Sequence, residues 1–161
     1  MAEKKRGPLG FLSAASFPYR RKSLLSPTEL EFYNVLKLAV GDRFLILLKL
    51  DLRDLCEITH RDVNQAAFNQ VADEKIDFVL CDQATLAPVV AIELDDSTLY
   101  PRDRAERDTF MKELFRVIGV SLIHQRVQAR YDPAAIARWV DAAARSGRDA
   151  SPTPRPLRPA S

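Results

Sequence analysis

The chain has 161 residues, a net charge of +2, 47% hydrophobic and 29% charged residues and two cysteines. That is the composition of one globular domain with a substantial core; it excludes a disulfide scaffold, and no run approaches the ~20 apolar residues that span a bilayer. The charge is unevenly spread: residues 1–22 carry +5, residues 145–161 carry +3, and the stretch between carries −6.

Residues 1–22 read as an irregular basic arm, with Lys4, Lys5 and Arg6 followed by Arg20, Arg21 and Lys22. The segment Phe11 to Phe17 is too short and too rich in serine for a secretory leader. The domain itself is expected over 23–145. Ser26, Pro27 and Glu29 spell a helix start, with Ser26 as N-cap, Pro27 in the first turn and Glu29 closing a capping box. Leu25 and Leu30 are spaced for a hydrophobic staple across that start. Phe32, Tyr33, Leu36 and Val40 follow at helical spacing, and Gly41 ends the helix. Phe44 to Leu48 reads as a buried strand, continued in alternation by Leu50 and Leu52. Asn64 to Val71 reads as a short helix or a covering loop.

Two further strands follow, in Lys75 to Leu80 and Pro88 to Asp96, joined across Asp82-Gln83-Ala84-Thr85, which suits a turn between antiparallel strands. A helix from about Asp103 to Ile118 turns Phe110, Met111, Leu114, Phe115 and Ile118 to the core and stops at Gly119. Val120 to His124 is a fourth strand; the helical crossover before it makes it parallel to the third. Asp132 and Pro133 start a last helix with Ile136, Trp139, Val140 and Ala143 inward. Ser146 to Ser161, with four prolines, reads as a disordered tail. Cys56 and Cys81 have no Cys or His at metal-ligand spacing and read as reduced thiols of a cytoplasmic protein.

The most informative residues are acids in apolar strands. Asp77 interrupts Ile76-Asp77-Phe78-Val79-Leu80, and Glu93 ends Val89-Val90-Ala91-Ile92. A carboxylate there costs several kcal/mol unless a cation or hydrogen-bond donors compensate it. Strand alternation puts Asp95 on the face of Glu93 and Asp96 on the other. Acids converging from neighbouring strands are a common way to hold a hard divalent cation.

The order α-β-β-β-α-β-α, with Asp77 on one strand and Glu93-Leu94-Asp95 on the next, resembles the restriction-endonuclease-like, or PD-(D/E)xK, nuclease superfamily. More narrowly, Leu25 to Tyr33, Ile76 to Cys81, Ala91 to Asp96 and the Arg-rich Arg102 to Asp108 are similar to a small uncharacterised bacterial domain family within it. The resemblance covers residues 20–140. It implies a four-stranded mixed sheet flanked by helices and hydrolysis of nucleic-acid phosphodiesters, DNA above all, with Mg²⁺ or Mn²⁺ held by Asp77, Glu93 and Asp95.

Two departures accompany it. Asp95 stands where the superfamily commonly has a lysine, and Leu99 where the narrower family often has a histidine. Lys112 in the following helix is a candidate substitute for the lysine, although it also makes an ordinary i, i+4 pair with Asp108. Arg102, Arg104 and Arg107 are candidates for holding phosphate, or for balancing the acids. Glu29 has a sufficient role in the capping box. His124 and Arg126 share a strand face, as a base and phosphate contact or as ordinary edge residues. The alternative to an enzyme is a catalytically silent nuclease fold that binds nucleic acid or a partner protein.

Overall fold

Helix α1 (Pro27–Val40) begins as the sequence dictates. Ser26 Oγ accepts from Glu29 N at 3.3 Å, and Ser26 N donates to Glu29 Oε2 at 2.8 Å. Gly41 ends the helix at φ +54°, a conformation glycine adopts without penalty. The staple is one-sided: Leu25 is buried, while Leu30 is exposed. The computed structural model describes residues 19–57, 69, 71–72, 74–95 and 104–150, the side chains of 104 and 148–150 apart. The expected helix or loop over 64–71, the first eighteen residues of the arm, and the tail from 151 lie almost wholly outside them.

Four strands follow in sheet order: β1 (Phe44–Asp51), β2 (Lys75–Asp82), β3 (Pro88–Asp95) and β4 (Ser121–Arg126). Neighbours in sequence are neighbours in the sheet. β1–β2 and β2–β3 are antiparallel, and β3–β4 is parallel. Helix α2 (Arg104–Ile118) makes the crossover that parallel pairing requires. The Asp82 carboxylate closes the β2–β3 turn by accepting from Ala84 N and Thr85 N.

The last helix, α3 (Pro133–Ala150), is capped by Asp132 Oδ1, which accepts from Ala134 N at 2.9 Å. It continues to Ala150, beyond the Ser146 at which the sequence suggested a tail. Ser146 Oγ donates to Ala142 O, so that serine is accommodated inside the helix. Among the described residues the protein is thus a mixed α/β fold, an open four-stranded mixed sheet with three helices.

Both faces of the sheet are covered. On one, α1 and α3 pack on Phe44, Phe78, Leu80, Val90 and Ile92 through Phe32, Leu36, Ile136 and Val140. On the other, α2 packs on Val79, Cys81 and Ala91 through Met111 and Phe115. Phe32 is the keystone of the first layer; its ring centroid lies 5.3 Å from Phe78 and 5.1 Å from Tyr131.

One rung breaks the alternation. Ile46 and Leu48 of β1 face α1, yet Leu50 belongs to the α2 layer; Phe78 and Leu80 of β2 face α1, yet Ile76 belongs to the α2 layer. Register is the same on both sides of the break, with Leu48 opposite Phe78 and Leu50 opposite Ile76. Both strands therefore turn over together at the intervening pair, Lys49 and Asp77. Lys49 has φ +53°, the left-handed region that costs a side-chain-bearing residue about 1–2 kcal/mol.

Candidate functional site

The site is a fork in the sheet. The β2–β3 ladder pairs Val79 with Ala91 and Phe78 with Ile92. The same register sets Asp77 across from Glu93, but there the backbone pairing stops. Instead, Leu94 N donates to Asp77 Oδ2 at 2.9 Å. A side-chain oxygen has replaced a backbone carbonyl as acceptor, so the strands part while the part-buried N–H stays satisfied.

Two trios of charges are built around this fork. In the first, Lys49 Nζ donates to Asp77 Oδ1 at 2.6 Å and to Glu29 Oε1 at 2.5 Å. Glu29 thus serves the capping box with one oxygen and the fork with the other. Its side chain and that of Asp77 are each 20% exposed, and Lys49 is 31% exposed. Burial works to raise the Glu29 pKa, but the Lys49 and Ser26 hydrogen bonds outweigh it and hold the carboxyl below its ordinary range. Burial likewise works against the Lys49 charge, and the hydrogen bonds to Asp77 and Glu29 overcome it, leaving the ammonium harder to deprotonate than usual.

In the second trio, Arg107 of α2 donates from Nη2 to Glu93 Oε1 at 2.8 Å and from Nε to Glu74 Oε2 at 2.9 Å. Burial opposes the Arg107 charge, but hydrogen bonds to Glu93 and Glu74 hold it firmly protonated. Among the described residues Glu93 is the buried charged one, 7% exposed. His124 sits opposite it in the parallel ladder, with Nδ1 3.3 Å from Glu93 Oε2. In each trio one cation bridges two carboxylates, so each keeps an excess of one negative charge.

The sequence candidates therefore fall into several places. Asp77 and Glu93 occupy facing positions at the fork, with their charged partners drawn from opposite layers: Glu29 through Lys49 on the α1 side, and Arg107 on the α2 side. Asp95 lies at the end of β3, opposite Arg126, with its Oδ1 buried. Among the described residues no three His, Cys, Asp or Glu side chains are grouped to hold a metal ion. Arg107 reaches Glu93 directly. Arg102, Leu99, Asp96 and the Arg104 side chain lie outside the described residues.

Lys112 makes no ion pair with either trio. With Arg116, His124, Ser121 and Phe115 it lines a cavity of about 510 Å³ between α2, β4 and the end of α3. His124 links that cavity to Glu93. Lys49 and Glu74 are the residues sequence reasoning missed. For Lys49 the signal was present, a lone cation in Phe44-Leu45-Ile46-Leu47-Leu48-Lys49-Leu50.

Among the described residues no helix is long and apolar enough to cross a membrane. Comparison with curated proteins finds no match, and comparison with solved structures finds none. A family model does match residues 21–143, a span that takes in α1, all four strands, both trios and most of α3. The chain belongs to the DUF2726 family, a family described as of unknown function.

Proposed function

We propose that this domain is a metal-dependent phosphodiester hydrolase acting on nucleic acid, with DNA as its substrate. The observation that carries the reading is the fork itself: Asp77 and Glu93, half-buried and buried, take the next positions on neighbouring strands where the β2–β3 ladder stops. The excess of carboxylate over cation in both trios supports it, as does the α-β-β-β-α-β-α order shared with restriction-endonuclease-like proteins.

The donor set suits the metal. Mg²⁺ and Mn²⁺ prefer hard oxygen ligands, and Mg²⁺ is commonly held by one or two carboxylates, with water and phosphate oxygens completing its shell. Asp77 and Glu93 supply that number, and Asp95 a further carboxylate on the strand that carries Glu93. When bound, the ion supplies an acidified water and a charge that polarises the phosphoryl group. The protein's own part is to orient. Leu94 N–H fixes one oxygen of Asp77, and Arg107 fixes one oxygen of Glu93. The reaction consumes one water: its oxygen bonds to phosphorus, the bond to the leaving sugar oxygen breaks, and the protons end on the leaving oxygen and in solvent.

The engagement of each fork acid with a basic side chain, Lys49 or Arg107, favours a second reading. In it the domain is a silent nuclease fold that binds nucleic acid or a protein. Titration calorimetry with Mg²⁺ and Mn²⁺ on the wild type and Glu93→Ala, beside cleavage of single- and double-stranded DNA, separates the two. Metal binding and cleavage that both require Glu93 are the expected result. DNA binding without metal and without cleavage would overturn the enzyme reading.

A further inference from the structure

A fork made only of acids would repel a phosphodiester. Some fixed cation must meet the substrate, and Asp95 supplies none. Three basic side chains touch the fork acids: Lys49, Arg107 and His124, whose Nδ1 lies 3.3 Å from Glu93 Oε2. Arg107 gives Nε to Glu74 and Nη2 to Glu93 from the α2 side, out of an ordinary helix. Lys49 reaches Asp77 from β1, on a strained backbone. An ammonium has three N–H donors, and Glu29 and Asp77 take two of them. The third is left for an incoming oxygen.

Its placement is also enforced at a cost. Lys49 holds φ +53° in the middle of a strand, at the rung where β1 and β2 turn over together. Strained non-glycine backbone persists where the surroundings over-determine it, and it gathers at functional sites. The two carboxylates hold Nζ beside Asp77, whose other oxygen holds the N–H of Leu94, between Glu93 and Asp95.

We propose that Lys49 is the phosphate-contacting residue of this site, donating its third N–H to an oxygen of the nucleic-acid phosphate at the fork. The proposal rests on the hydrolase reading. Lys49 enters from β1, two strands away in the sheet from β3, where the superfamily resemblance places a lysine. Lys112, on α2, lines the cavity that His124 joins to Glu93 and makes no ion pair with either fork acid. Glu29 is then a positioning residue, tying the ammonium to the capped start of α1.

The test compares wild type, Lys49→Arg, Lys49→Met, Lys49→Gly and Glu93→Ala. Lys49→Gly keeps the φ > 0 backbone accessible, so a folded variant without the ammonium is available even if Lys49→Met does not fold. Cleavage of fluorescein-labelled single- and double-stranded DNA is measured in Mn²⁺. Binding is measured by anisotropy in Ca²⁺ between 50 and 200 mM KCl, and Mn²⁺ binding by calorimetry.

The expected result has three parts. Lys49→Met and Lys49→Gly lose cleavage by about 10²–10³-fold, the cost of removing one donor to developing charge. They still bind Mn²⁺, and their salt slope on duplex DNA is shallower by about 0.9, one phosphate contact fewer. Lys49→Arg keeps the wild-type slope. If wild type and Glu93→Ala differ in cleavage while Lys49→Met and Lys49→Gly cut and bind as wild type, the role of Lys49 is overturned and the hydrolase reading stands. A loss of cleavage that tracks the loss of melting temperature, with an unchanged salt slope, makes Lys49 structural and also overturns it. A wild type that neither binds nor cleaves DNA removes both readings.

Discussion

The inverted rung at Lys49 makes a stability prediction with an unusual sign. Lys49→Ala and Lys49→Gly both delete the ammonium and both leave Glu29 and Asp77 without it, so the lost ion pairs cancel in the comparison. What remains is backbone. In an ordinary strand glycine is worse than alanine by roughly 0.5–1 kcal/mol, because it loses more freedom on folding. At φ +53° the Cβ of alanine meets the left-handed penalty of about 1–2 kcal/mol, which glycine does not. The difference reverses the order: Lys49→Gly should be the more stable of the two by about 0.5–1 kcal/mol. Urea unfolding followed by circular dichroism reads this as a higher midpoint at equal slope. In a domain of this size it is roughly 1–4 °C of melting temperature. Leu45, exposed on the same strand, is the control; there Leu45→Gly should fall below Leu45→Ala. A Lys49→Ala variant as stable as Lys49→Gly would refute the inverted rung.

Phe32→Ala should cost about 3–5 kcal/mol, because Phe32 is fully buried and contacts both Phe78 and Tyr131; a midpoint within 1 kcal/mol of wild type in urea would contradict the keystone role. The first trio also sets a pH window. Glu29 is lowered in the folded state, so its contribution is present at neutral pH and is lost as pH falls through the lowered value. Lys49 is raised, so its contribution is complete below the ordinary lysine value and is lost as pH rises through the raised one. Melting temperature measured across pH for wild type and Glu29→Gln checks this, with a smaller loss at acid pH expected in the variant.

Helix starts and stops were legible because they rest on local chemistry. Ser26 with Glu29, Asp132 with Pro133, Gly41 and Gly119 all act where the sequence places them. Pairing was legible too: a short turn closed by Asp82 makes β2 and β3 antiparallel, and the α2 crossover makes β4 parallel to β3. The inversion at Lys49 was not, since a lysine at positive φ has no sequence signature. Leu50 accordingly reads as continuing the face of Leu48, whereas it lies in the opposite layer. Apolar periodicity also hid Lys49 itself, although the argument that singled out Asp77 applied equally to a lone lysine in an apolar strand. Glu29 looked fully occupied by its cap, but a carboxylate has two oxygens, and the second reaches the fork. Arg107 was in view as a candidate; only the fold reveals that it bridges Glu93 to Glu74.

That shared carboxylate makes the helix start a mechanical gauge of the fork. Any molecule that draws Lys49 away from Glu29 loosens the side chain that also clamps the first turn of α1. Occupancy at the sheet would then surface as faster solvent exchange at the Ser26 amide, a readout on the outside of the protein for an event between its strands.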